Sequence, residues 1–269
     1  MKKKLKWFDI LVLLVLPILA ALISVYLINL YPVATFLFYG LPGIYLAFRF
    51  GHVWEEEKAV LFAVLVSTPF AIIVDYIGIK SGIWYTTRSL FAHRFLNTIP
   101  WEDFFWMAVA TYTMIVIYQT LLEAHDKKEI VDNRMLYFLI SALFVLGCFF
   151  SLLIVGHENL FAFDSQYTYL FLGSLFFLLP AVLFLMKFPK FLKRLWPLSL
   201  YFLYLTTFFE VIATYLNQWT FNGEYILPPL DIFNRAPIAI EELIFVGLVG
   251  PIAAVAFYEF FDNGKKSSR

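Results

Sequence analysis

The chain has 269 residues, 62% of them hydrophobic and 20% aromatic, and its twenty Lys and Arg balance twenty Asp and Glu. A soluble globular chain is about 45–50% apolar, so this composition excludes an ordinary soluble domain, and zero net charge gives no reason to expect nucleic acid as a partner. The single cysteine, Cys148, excludes an intrachain disulfide and any cysteine-based metal motif.

In chain order, the Lys-rich start "MKKKLKW" leads into an apolar run over 8–28. That run is long for a signal peptide and no persuasive cleavage site follows, so it reads as an uncleaved first helix. Further candidate spans follow at 33–50, 59–79, 101–122, 135–155, 166–187, 195–216 and 239–261. The second is the weakest, bounded by Pro32 and interrupted by Pro42 and Gly43. Backbone groups in hydrocarbon must be satisfied within the segment, and no period-two alternation marks a barrel, so the spans are helical. The expectation is an all-α integral membrane bundle of about eight transmembrane helices. With the N-terminus placed inside, sixteen of the twenty Lys and Arg fall on inner segments, leaving Lys80, Arg88, Arg94 and Arg235 outside. This bias predicts both termini on the cytoplasmic side of the cell membrane, with loops 80–100 and 217–238 on the other.

Two stretches repeat. "DYIGIKSGIWYTTRSLFAHRFLNTIPWEDFFW" (75–106) and "EVIATYLNQWTFNGEYILPPLDIFNRAPIAIEELIF" (210–245) each carry an early carboxylate, a Trp nine residues later, and an acidic pair opening the next span. Asp75 matches Glu210, Trp84 matches Trp219, and Glu102-Asp103 matches Glu241-Glu242, the second loop being four residues longer. A repeat of four spans keeps its orientation, so residues 1–130 and 131–269 are expected as parallel pseudo-repeats related by an axis along the membrane normal. Spans three, four, seven and eight would then surround one cavity. Pro42 and Pro180 are read as unmatched between the halves, so no broken-helix pair marks a transporter site. Intramembrane acids are functional-site candidates by default, whereas acids opening a helix also serve as caps on its dipole. Asp75 and Glu210 lie inside their spans, where capping fails as an explanation.

At these residues, in "DYIGIKSGIW", "PWEDFFW" and more weakly "IEELIF", the chain resembles the lycopene cyclase domain family, the small integral-membrane type found as tandem or paired polypeptides. The resemblance covers roughly 70–123 and 205–261. The second copy departs from the pattern, with Ala239 where a Pro is expected and Glu210 in place of Asp. The resemblance implies redox-neutral, acid-catalysed cyclisation of lycopene ends to β- or ε-ionone rings. A proton adds to the terminal double bond, a nearby double bond attacks the cation, and a neighbouring carbon loses a proton. The carotenoid 1,2-hydratases, similar in size and span count, stay open as an alternative, as does a non-enzymatic carotenoid- or isoprenoid-binding or transport protein.

Such chemistry needs a neutral acid, a base and a dry pocket with electron-rich walls. Glu102-Asp103 and Glu241-Glu242 could each supply one protonated and one ionised carboxyl, titrating as a pair. Adjacent helical residues lie about 100° apart, so one member of each pair can face the bundle. Asp75 and Glu210 would orient the acids or accept the final proton. Trp84, Tyr85, Trp219 and Phe221, with Trp101, Phe105 and Phe245 beside the acidic pairs, are candidates for binding the polyene and stabilising a cation, or for an interfacial belt. No cofactor is required: G-x-G-x-x-G is missing, Asp-rich diphosphate motifs are missing, and span eight has no lysine for retinal. His52, His93, His125 and His157 fall in loops without metal-ligand spacing. The expected partners are a hydrophobic polyene and membrane lipid; the sequence assigns no oligomeric state.

Overall fold

The computed structural model describes residues 6–50, 57–121, 133–232 and 237–261. Among them the regular elements are helices apart from two three-residue strands, with loops between them. We label the long helices α1 (Trp7–Tyr26), α2 (Tyr31–Phe50), α3 (Glu57–Lys80), α4 (Trp101–Leu121), α5 (Asn133–Ile154), α6 (Thr168–Lys187), α7 (Pro189–Tyr215) and α8 (Ile240–Phe260). Six of these, α1, α2, α3, α6, α7 and α8, are long and apolar enough to cross a membrane. Of the cations that set the expected orientation, Lys2, Lys3, Lys4, Lys127, Lys128, Arg235, Lys265, Lys266 and Arg269 lie outside the described residues, as do His52 and His125.

Prolines shape four of the helices. A π turn runs over Phe36–Gly40 in α2, Ser174–Leu178 in α6 and Leu243–Val249 in α8, ending two residues before Pro42, Pro180 and Pro251 respectively. In α3 a π turn over Ala71–Asp75 follows Pro69. A helical proline removes one N–H donor and crowds the carbonyl four residues back, and a widened turn accommodates both defects. Pro42 and Pro180, read from sequence as unmatched, share a local setting. Each follows a Leu, each sits two residues after its π turn, and each helix opens near a tyrosine, Tyr31 or Tyr169.

Helices α4 and α8 pack on each other at the centre. Helix α3 lies along α4 as α7 lies along α8, α1 packs on α7, and α5 packs on α3. Tyr204 Oη donates to Leu14 O (2.7 Å) at the α1–α7 seam, and Tyr76 meets Phe149 edge-on (5.3 Å) at the α3–α5 seam. At one end of the bundle Asp9 is buried and accepts from Tyr45 Oη (2.7 Å), Arg49 Nε (2.8 Å) and Lys6 N (2.8 Å), tying the start of α1 to the end of α2. The same end gathers Tyr118, whose hydroxyl donates to Glu259 Oε1 (2.6 Å), and Lys58 over the Tyr258 ring.

The opposite end is roofed by β1 (Trp84–Thr86) and β2 (Trp219–Phe221), paired antiparallel with Trp84 opposite Phe221, Tyr85 opposite Thr220 and Thr86 opposite Trp219. The loops were expected as plain connections, and this ladder was not foreseen. Its main-chain bonds recur across the two halves. Thr87 N and Arg88 N both donate to Gln218 O, while Asn222 N and Gly223 N both donate to Ile83 O. Ahead of the strands, Ile83 N donates to Gly78 O (2.9 Å) as Gln218 N donates to Ala213 O (2.8 Å). The left-handed residues closing these helices are Gly82 (φ 69°) and Asn217 (φ 54°), the two residue types that tolerate that cap most readily.

Candidate functional site

The two members of each acidic pair part company at the helix start. Glu102 turns back to the preceding loop, where its carboxylate accepts from Ser89 Oγ (3.0 Å) and from Leu90 N. Glu241 does the same, its Oε1 accepting from Ile226 N (2.8 Å) and Leu227 N (2.9 Å). The next residues, Asp103 and Glu242, lie about 100° further round and line a cavity beneath the ladder, with an empty volume of about 700 Å³. Asp75 and Glu210 line the same cavity. All four of these side chains are buried. Glu102 and Glu241, expected to share the chemistry with their neighbours, instead hold loop backbone and do not line the cavity.

Each acid has a distinct setting. Trp219 Nε1 donates to Glu210 Oε2 (2.8 Å). The Tyr169 hydroxyl donates to Glu242 Oε2. Asp103 faces the hydroxyls of Tyr31 and Thr86. Asp75 Oδ2 is buried with no hydrogen-bond partner, a condition that in a native fold calls for an explanation. Among the described residues no Lys, Arg or His lines the cavity. Arg94, whose charge acts on Asp103, donates to Thr86 O (2.6 Å) and Thr98 O (3.2 Å) and lies 4.6 Å over the Tyr85 ring. In the loop above, Tyr225 donates to Ile83 O (2.5 Å), and burial together with Glu242 and Glu241 holds its hydroxyl above the usual phenol range, so it stays a donor.

Of the aromatic candidates, Trp84, Trp219 and Phe221 line the cavity. Trp84 lies flat on α3 because residue 78 is glycine: a Cβ there would fall 2.1 Å from the indole. Phe245 stands behind the wall, stacked on Tyr169 (6.2 Å), in space that Gly173 leaves open. Tyr85, Trp101 and Phe105 are exposed and do not reach the cavity. The sequence reading missed Tyr31, Thr86, Trp106, Tyr169 and Phe177, and with them the contribution of α2 and α6, having expected only α3, α4, α7 and α8 around the cavity. The equal placement of Tyr31 and Tyr169 eleven residues before Pro42 and Pro180 was the available signal.

A second cavity, with about 560 Å³ of empty volume, adjoins the first between α3, α4, α6 and α8, sharing Trp106, Met107, Phe177 and Val246 with it. Among the described residues no charged side chain lines it. Among the described residues no group of three or more His, Cys, Asp or Glu is placed to hold a metal ion.

Comparison with family models, with curated proteins and with solved structures gives no match.

Proposed function

We propose that the chain is an integral membrane enzyme of carotenoid biosynthesis that cyclises lycopene ends by acid catalysis. The observation that carries this is the cavity lined by the buried side chains of Asp75, Asp103, Glu210 and Glu242, walled by Trp84, Trp106, Trp219 and Phe221, with no cation among its described lining. Four buried carboxyls around one cavity cannot all be ionised without severe repulsion, so protons reside among them. A protonated carboxyl beside indole and phenyl faces can give a proton to an alkene, and the faces stabilise the resulting carbocation, by roughly 2 kcal/mol or more when desolvated. A nearby double bond of the same polyene attacks this cation and closes the ring, leaving a cation on a ring carbon. A second carboxylate of the set then takes a proton from an adjacent ring carbon, forming the ring double bond and leaving atoms and electrons balanced without redox chemistry.

The reading extends to architecture. We take all eight helices as transmembrane, with both termini cytoplasmic and the carboxyl cavity near the outer face. The end bearing Lys6, Arg49 and Lys58 then faces inward with the Lys187–Arg194 turn, as the positive-inside rule favours. We also take residues 1–130 and 131–269 as parallel repeats. The self-complementary ladder supports this: Trp84 and Trp219 occupy the same place in their strands, and each lies two residues along from the partner of the other, as an isologous pairing about a twofold axis requires.

The test is pigment extraction from a lycopene-producing host that expresses the chain. Ring formation supports the reading. Hydrated product assigns the same acids to a hydratase, and unchanged lycopene that co-purifies with the protein assigns the cavity to binding alone. Full ring formation by Asp75→Asn, Asp103→Asn, Glu210→Gln and Glu242→Gln, each made singly, would overturn the catalytic role of the carboxyls.

A further inference from the structure

We infer that the apolar cavity between α3 and α6 is the bed for the linear hydrocarbon tail of the substrate, entered sideways from lipid past Phe70, Phe176 and Phe257. This rests on the proposal that the carboxyl cavity acts on the end of an acyclic isoprenoid. The two seams that the repeat would make equivalent are built differently. Between α2 and α7 the space is filled: Phe38, Tyr39, Phe202 and Phe209 are each fully buried, and Tyr39 shares a hydrogen bond of 3.2 Å with Thr206. Between α3 and α6 lies about 560 Å³ of empty volume, beside an aromatic edge contact of Phe70 on Phe176 at 5.2 Å, with Phe257 of α8 5.4 Å from Phe70.

The position of this gap fits a tail rather than a packing defect. It adjoins the carboxyl cavity, the two sharing Trp106, Met107, Phe177 and Val246 in their walls, so a chain whose end lies among the acids has an apolar space directly beside it. From Phe62 to Asp75 the two cavities together run about 20 Å along α3, at 1.5 Å per helical residue. Val64 of α3 and Leu175 and Leu179 of α6 are exposed, so the two helices that flank the gap present lipid-compatible side chains on their outer surfaces. The polar side chains on the lining, Ser67 and Thr111, carry no charge. An extended apolar chain matches this shape and chemistry; a headgroup-bearing lipid would have to place its polar end among like-charged acids.

The experiment uses the full chain in lipid nanodiscs and an acyclic tetraterpene bearing a diazirine on its tail, far from the reacting end. After irradiation, the labelled residues are mapped by mass spectrometry. The expected result is labelling at or beside Phe70, Phe176 and Phe257, reduced at least tenfold by excess unlabelled lycopene and by Ala110→Trp, which fills the cavity. Labelling confined to the outward faces of α1 and α5, without competition, would overturn the inference whatever the variant does. The same mapping on Asp103→Asn separates the two readings. Tail labelling in the groove with full ring formation sinks the role of Asp103 and keeps the groove; lost ring formation with labelling elsewhere does the reverse.

Discussion

The two carboxyl sets that share one cavity are held to different degrees. In the second half Glu210 is fixed by the Trp219 indole and Glu242 by the Tyr169 hydroxyl. In the first half Trp84 lies over Gly78 and edge-on to Tyr169 (5.7 Å), and the nearby Asp75 keeps an unpartnered oxygen. Similar residues at similar places thus leave one acid, Asp75, with an unpartnered oxygen, while Asp103 faces two hydroxyls and Glu210 and Glu242 each hold a donor. The difference teaches that the early carboxyls, Asp75 and Glu210, are the unequal pair: under the proposed function Asp75 is the acid free to exchange a proton, and Glu210 the one held in place.

The largest effect should come from removing the free acid. Asp75→Asn is expected to lower ring formation by about 10²–10⁴-fold, the usual worth of general acid–base catalysis, while lycopene still co-purifies; equal turnover for Asp75→Asn and wild type would erase the distinction between Asp75 and Glu210. Next, Trp219→Phe removes the donor to Glu210 and keeps the ring. A hydrogen bond to a charged group is worth about 1.5–3 kcal/mol, so ring formation should fall by roughly tenfold or more, measured beside Trp84→Phe, which removes no such bond and should cost less. Smaller in turnover but visible in stability are Glu102→Ala and Glu241→Ala. The first frees the Leu90 N–H and the Ser89 hydroxyl, the second the N–H groups of Ile226 and Leu227, at about 1–3 kcal/mol, so thermal unfolding in detergent should shift downward for both, while the glutamine variants, which keep an acceptor oxygen, should retain most turnover. Smallest is Gly78→Ala, where the new methyl must displace Trp84 at an overpacking cost of about 1–3 kcal/mol; a changed tryptophan emission with the fold intact is the expected readout.

Much of the helix plan was legible because apolar runs and proline positions leave direct marks on sequence. Asp75 and Glu210 were legible as cavity residues because a carboxyl inside an apolar helix has few other uses. The division within each acidic pair was legible only as a rule, since the 100° step says that one member faces in and not which one. Loop geometry decided that: backbone N–H groups at Leu90 and at Ile226 and Leu227 capture Glu102 and Glu241. The ladder was invisible because three residues flanked by caps carry no alternation long enough to read. Tyr31 and Tyr169 escaped because their partners, Asp103 and Glu242, lie 72 and 73 residues away in sequence, beyond any local pattern.

That short ladder also limits how the bundle can breathe. Its pairs are arranged evenly about Tyr85 and Thr220, and the flanking bonds from residues 87 and 88 to Gln218 and from 222 and 223 to Ile83 extend it equally on both sides. A sliding displacement of one half past the other would break contacts on both sides at once. A scissor-like rotation about the central pair strains each of them slightly and breaks none. The ladder at the roof of the chamber is therefore built to resist sliding and to tolerate rotation about its central pair.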